Sequence, residues 1–401
     1  MRMTTVVERL QDLGEDNWAL YKRARELLDN GEDIIELAIG EPDIPTPSYI
    51  IESLQRGLAK GRTAYGNSAG EAHLRAALAQ RYSPPGKAAI RPAEILCFPG
   101  AQTALYAALR CVAGEGNTVV VGDPMYATYE PAITACGARG LPVLLSPARR
   151  FRLDPADVAA AVQADTRAIL LNTPHNPTGA VLSSDDIKQL GKIAQAHDLW
   201  IISDEVYEEL VFGDATKASP LDYPELRERT IVISSISKSH AAPGLRSGWL
   251  VAPQAFCEAA LPLSEAMLFG NQPFIADTTA EVVATPSPVA TGMRERFARR
   301  AAILARRLHS GTHLNVHTPD AGMFALIDVS STGMPGKAYA ESLLHNGGVA
   351  VMPGCAFGKS LAAWVHISLT KDDSQFNEAC ARIITHWEAL QATTAGATPP
   401  S

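Results

Sequence analysis

Short apolar runs recur along the chain, each ending at a turn former or a polar residue: ILCF before Pro99-Gly100, TVVVG before Asp123-Pro124, RAILLN before Thr173-Pro174, LWIIS before Asp204 and TIVIS before Ser235. Trp249-Leu-Val forms another run after Gly248. Continuous apolarity, rather than alternation, is what a parallel strand covered on both faces requires. Helix-length segments lie between the runs; in SSDDIKQLGKIAQAHDL, Ser184 and Asp185 offer an N-cap ahead of the periodic Ile187, Leu190 and Ile193. Strand, helix, strand in repetition reads as a doubly wound α/β domain. Past Pro286-Ser-Pro the pattern changes to a long basic helix, TGMRERFARRAAILARRLHS, and then to short strands (MFALIDV, GVAVMPG, WVHISLT) mixed with helices. This predicts a large domain over 46–289, a smaller α+β domain built from 1–45 and 290–390, and a frayed tail over 391–401, where QATTAGATPPS shows no periodicity.

The gross numbers narrow the function classes. At 401 residues with 46% apolar and 19% charged residues, the chain has the composition of a globular enzyme with more than one domain. A formal charge of -8 with no basic stripe argues against nucleic acid or an anionic membrane as partner and leaves small molecules. The N-terminus carries Arg2, Glu8 and Arg9 and no signal-type apolar stretch, and no 18-residue apolar run occurs, so a cytoplasmic location is expected. Cysteines 97, 111, 136, 257, 355 and 380 lie far apart without C-x-x-C pairs, so they read as reduced core thiols rather than a zinc or redox site.

In an open parallel sheet, ligands bind outside the carboxyl ends of the strands, so residues that follow the apolar runs converge on one crevice. Lys238, in SSISKSHAAPGLRSG after TIVIS, is a lysine at a strand end among small residues and hydroxyls; held out of water, it becomes a nucleophilic amine. After ILCF, Gly100 turns the chain into a helix whose first free amides, Ala101 and Gln102, form an anion site that Ser235 and Arg246 can complete into a phosphate cup. Asp204 leaves the sheet where a carboxylate would hold a positively charged ring nitrogen, and a lysine with an aspartate partner is the signature of a pyridoxal phosphate site. Tyr207 could donate to a ring oxygen, and Asn176 in NTPHNPTG stands in a turn at the same crevice.

Taken together, LAIGEPDIPTP, TAYGNSAG, GDPMYATYE, NTPHNPTG, SDEVYEELVF, SISKSHAAPGLRSG and MPGCAFG resemble, in order and spacing over nearly the whole chain, the fold type I class I/II aminotransferases, most closely their aspartate-aminotransferase-like branch. The resemblance implies a mostly parallel seven-stranded sheet in the large domain and pyridoxal 5'-phosphate as cofactor. It implies that Lys238 forms the internal aldimine and shuttles the proton, that Asp204 pairs with the pyridinium nitrogen, and that Asn176 and Tyr207 bond the ring oxygen. Tyr126 would stack on the ring, while Ala101, Gln102, Ser235 and Arg246 would hold the phosphate, joined by Tyr65 from a second subunit of a homodimer with shared sites. An amino group would move between an amino acid and a 2-oxo acid by a ping-pong route, and Gly40 would present its backbone to the substrate.

One position departs from that family. Where its members carry an arginine that clamps the substrate carboxylate, WVHISLT has His366, which strand alternation turns toward the site opposite Val365, Ile367 and Leu369. Another group then holds the carboxylate, or the substrate is unusual. Ser247 likewise replaces an aliphatic residue, and Asp16, Asn17 and Trp18 are candidates for side-chain selection. The same lysine and aspartate would serve a decarboxylase or a carbon–sulfur lyase, although lyases of this type often carry histidine where Tyr207 stands. A non-catalytic cofactor-binding regulator would need a DNA-binding domain, and the segment before Leu37 has no basic helix-turn-helix pattern. GCAFGKS has three residues between its glycines, one too few for a phosphate-binding P-loop, and no G-x-G-x-x-G follows a strand.

Overall fold

The computed structural model describes residues 4–13, 18–84, 86 and 88–396. Its strands are β1 (Ile35–Glu36), β2 (Ile95–Phe98), β3 (Thr118–Asp123), β4 (Arg139–Leu144), β5 (Thr166–Asn172), β6 (Trp200–Asp204), β7 (Thr230–Ser235), β8 (Gly248–Val251), β9 (Asn315–His317), β10 (Phe324–Asp328), β11 (Val349–Ala350), β12 (Met352–Pro353) and β13 (Trp364–Ser368). Seven of them form one sheet in the order β2-β8-β7-β6-β5-β3-β4, in which β8 alone runs antiparallel to its neighbours.

Alternate residues of the buried strands enter different cores, which is why the runs are apolar throughout. Val119, Val121, Leu170, Ile202, Ile231 and Ile233 pack with Leu105, Ala108 and Leu109 of the helix Ala101–Val112. Val120, Ile169, Leu171 and Ile201 pack with Ile187 and Leu190 of the helix Ser184–Ala196 on the opposite face. Each such Val, Ile or Leu stabilises the fold by about 1.5–3 kcal/mol through its burial. The strand of this seven-stranded sheet absent from the sequence reading is β4: at the sheet edge it alternates between exposed and buried positions and tolerates Pro142, so no continuous run marks it. The cap of the Ser184–Ala196 helix also shifts by one residue, to Ser183, whose side chain accepts from the Asp186 amide while Asp186 accepts from the Ser183 amide.

The rest of the chain builds a second layer. An antiparallel sheet, β12-β13-β10-β9, packs with the long helix Ala290–Gly311 and the helix Asp373–Gly396 around Phe297, Leu304, Phe324, Ile367 and Phe376. The N-terminal segment joins it through parallel pairing of β1 with β11. The Asp373–Gly396 helix extends past Gln391, into the stretch expected to fray. Cys97, Cys136, Cys257 and Cys380 are buried thiols, whereas Cys111 and Cys355 are exposed, contrary to the expectation of core thiols throughout. GCAFGKS forms two 3-10 turns between β12 and β13, and its Ser360 hydroxyl donates to Asp123 at 2.8 Å. No helix among the described residues is long and apolar enough to cross a membrane.

Candidate active site

The carboxyl ends of β2, β5, β6 and β7 open on a cavity of about 160 Å³ lined by Ala101, Gln102, Tyr126, Asn176, Asp204, Tyr207, Ser235, Lys238 and Arg246. Nine residues singled out in the sequence thus share one crevice although they span much of the chain. Lys238 follows β7, and its Nζ donates to the Gly40 carbonyl at 2.7 Å and lies 5.8 Å from the centre of the Tyr207 ring. Burial lowers its pKa to about 8, against the opposing pull of Glu41, because a desolvated ammonium is disfavoured.

Asp204 ends β6 with 7% exposure, and burial raises its pKa to about 6 although the Tyr129 hydroxyl donates to Oδ2 at 2.7 Å and the Val206 amide to Oδ1 at 3.2 Å. Asn172 ties the neighbouring strand end in place: its Nδ2 donates to the Asp204 carbonyl at 3.1 Å and its Oδ1 accepts from the Asn176 amide at 2.7 Å. Asn176 Nδ2 donates to the Tyr207 hydroxyl at 3.3 Å, while its Oδ1 is buried without a partner. A native fold seldom buries a polar atom unpaired, so this amide points to a ligand group.

The other end of the crevice is built for an anion. Gly100 has φ +86°, a left-handed conformation that suits glycine, and a Cβ there would run into the Arg246 guanidinium. A Cβ on Gly248 would stand 2.5 Å from the Ala101 amide nitrogen. Gly100 thus lets the guanidinium lie against the start of the Ala101–Val112 helix, and Gly248 lets β8 pass close to that same turn. Arg246 donates to the Pro243 carbonyl at 3.0 Å and has no carboxylate partner among the described residues, so positive ends converge there unneutralised.

Three predicted residues lie elsewhere. Gly40 touches Lys238 through its carbonyl but does not line the cavity. Tyr65 is 87% exposed, edge-on to Phe269 at 5.2 Å, away from this chain's crevice. His366, expected to face the site, stands one ring behind it, 5.3 Å from Phe324 and 4.8 Å from Phe357 between ring centres, and Phe324 in turn abuts Tyr207. The reason is packing: the ring faces away from Val365 and Ile367 as alternation requires, but Phe324 of the paired strand β10 fills the space before it. Burial takes its pKa to about 3, so it is neutral, and neither ring nitrogen has a partner. Ser247 bonds Thr279 at 2.7 Å, a packing role. Trp18 packs edge-on to Tyr21, whereas Asp16 and Asn17 fall outside the described residues.

The sequence reading missed Tyr129, Asn172 and Ser237, all of which line the cavity. The repeated hydroxyls of Ser235-Ile-Ser237 beside the lysine could have signalled the last of these; a tyrosine at a helix start and an asparagine ending an apolar run carry no such mark. A second opening of about 340 Å³, lined by Arg81, Glu205, Glu208, Glu209 and Lys217, has its charges paired with one another. Glu71, His73 and Asp277 bring ligand atoms within 4.8 Å, but Arg62 already bonds both carboxylates, at 2.6 and 2.8 Å.

A partly desolvated amine, a carboxylate across from it and an anion cup at one end suit a flat ligand bearing a carbonyl, a ring cation and a phosphate. Comparison with known proteins agrees with this chemistry. The family described as aminotransferase class I and II matches residues 32–383. The chain is 38% identical over 383 residues to an arginine–pyruvate transaminase of Pseudomonas aeruginosa, covering 96% of this chain and 97% of that one. It is 30% identical over 369 residues to an aspartate aminotransferase of Pyrococcus horikoshii, covering 91% and 92%. A Thermus thermophilus aspartate aminotransferase structure superposes with a TM-score of 0.90 at 28% identity, over 96% of this chain and 100% of that one.

Proposed function

The chain belongs to the class I and II aminotransferases and is a pyridoxal phosphate-dependent transaminase, and from that premise we propose that Lys238 is its covalent anchor and proton carrier. The observation that carries the assignment is the shared cavity of Lys238 and Asp204 with the anion cup of Ala101, Gln102, Ser235 and Arg246. The residues fit the cofactor: Asn176 Nδ2 keeps one N–H after bonding the Tyr207 hydroxyl, so the two side chains present donors suited to its ring oxygen, and the unneutralised Arg246 suits its phosphate. When bound, pyridoxal phosphate supplies a protonated ring that accepts the electrons freed from the substrate's Cα–H bond.

The protein's part is to hold and to move protons. Asp204 would keep the ring nitrogen charged, Tyr126 would pack on the ring face, and the Lys238 amine, its pKa lowered to about 8, would take and return the substrate's α-proton. The substrates are an amino acid and a 2-oxo acid taken in turn. Likeness to the arginine–pyruvate enzyme makes arginine and pyruvate the first pair to assay. The exposed pair Tyr65 and Phe269, at 87% and 64%, supports a homodimer in which Tyr65 reaches the partner's phosphate cup. The division into a large domain over 46–289 and a small one from 1–45 and 290–390, and a cytoplasmic place in amino-acid metabolism, belong to the same reading.

Because His366 is neutral and screened by Phe324, the substrate carboxylate is held by amides and Asn176 rather than by a cation at that strand. A panel of amino donors, read by conversion of the cofactor to its amine form and by identified products, tests both points. The expected result is 2-oxo acid formation with a narrow donor range, and His366→Arg is expected to change donor preference. Carbon dioxide or thiol release without a 2-oxo acid of the donor's skeleton would overturn the reading.

A further inference from the structure

We propose that Tyr129 is a positioning residue for the cofactor's ring nitrogen, acting through Asp204: its hydroxyl fixes the rotation of the carboxylate and keeps it an acceptor. The proposal rests on the assignment of Asp204 to that nitrogen. Tyr129 opens the helix Tyr129–Ala135 and is 2% exposed; its backbone amide donates to the Tyr126 carbonyl at 2.9 Å and its hydroxyl to Asp204 Oδ2 at 2.7 Å. The Val206 amide donates to the other oxygen. Each carboxylate oxygen has two lone pairs, so one donor apiece from the protein leaves one apiece for a ligand. With both oxygens pinned from behind, the carboxylate plane is set before anything binds.

The same ring touches the second surface that would meet the cofactor. Tyr129 stands edge-on to Tyr126, 5.6 Å between centres at 85°, so one side chain orients both the edge partner and the face partner. Its burial and the neighbouring Asp204 raise the phenol well above its ordinary pKa, so it donates and does not ionise. The titratable groups facing Asp204 are Tyr126, Tyr129 and Tyr207, all phenols held above their usual range, Glu205 beside it, which raises its pKa, and Lys238, which lowers it. The Tyr129 hydrogen bond is the largest influence that opposes burial at Asp204. Without its hydroxyl, Asp204 becomes more basic and gains a second rotamer.

Pyridoxamine 5'-phosphate is the probe, because it binds without bonding Lys238. Its affinity for wild type, Tyr129→Phe and Asp204→Asn is measured by calorimetry between pH 5.5 and 8.5. Tyr129→Phe is expected to weaken binding at pH 7 about tenfold and to move the acidic midpoint of affinity up by about one pH unit. Replacing Tyr129 by 3-fluorotyrosine, a stronger donor of nearly equal shape, is expected to move that midpoint the opposite way. A Tyr129→Phe protein with wild-type affinity and midpoint, or a fluorotyrosine protein with an unmoved midpoint, would overturn the proposal. If Asp204→Asn also behaves as wild type, the Asp204 assignment fails with it; if only Asp204→Asn is impaired, Tyr129 alone is misassigned.

Discussion

Lys217 and Lys238 both lie in cavities of the large sheet's side of the molecule, and their charges meet opposite fates. Lys217 Nζ sits 2.6 Å from Glu205 Oε2 and 2.8 Å from Glu208 Oε2, and those carboxylates raise its pKa despite burial. Among the described residues Lys238 Nζ hydrogen-bonds a carbonyl and no carboxylate, and burial, helped by Arg246, takes its pKa down to about 8 against the weaker pull of Glu41 and Asp204. Removal from water is common to both; the partners decide the sign. One lysine is a structural cation in an ion-pair network that includes Arg81 and Glu209, and the other is an amine whose charge burial disfavours.

The contrast can be broken at its strongest point by Lys238→Ala. This variant is expected to lose transamination by a factor on the order of 10⁴ or more, and borohydride should no longer fix the cofactor to the protein. Retained covalent fixation would place the reactive amine elsewhere.

Next in size is Lys217→Met. Removing one member of a buried network strands the others, so unfolding stability should fall by about 3–5 kcal/mol, measured by denaturant titration, while the folded protein still binds cofactor. Unchanged stability would show the network to be idle.

The smallest effect sharpens the comparison through pH. A reactive amine with a pKa near 8 is mostly protonated below it, so the rate of cofactor capture by apoprotein should rise about tenfold per pH unit up to that point and level off above it. An ordinary exposed lysine would keep gaining rate until well above pH 10. Stopped-flow absorbance distinguishes the two curves. A continuous rise through pH 10 would mean that Lys238 is not desolvated.

Much of this could be read without coordinates. A strand buried on two faces must be apolar at every position, so β2, β3, β5, β6 and β7 announce themselves, and the residues just after them must gather at the sheet's carboxyl edge. That rule is local, and it placed Lys238, Asp204, Asn176, Ser235 and the Gly100 turn in one crevice. Edge strand β4 followed a different rule and went unread.

What the linear chain left open depends on distances between elements. Whether a buried lysine is charged, whether a tyrosine at a helix start touches core or carboxylate, and whether His366 meets the ligand or Phe324 are each settled by packing between segments far apart in sequence. Patterns of polarity dictate which side of an element is buried; the electrostatic state of a buried group is set by what lies within a few ångströms, and only the folded chain brings those neighbours together.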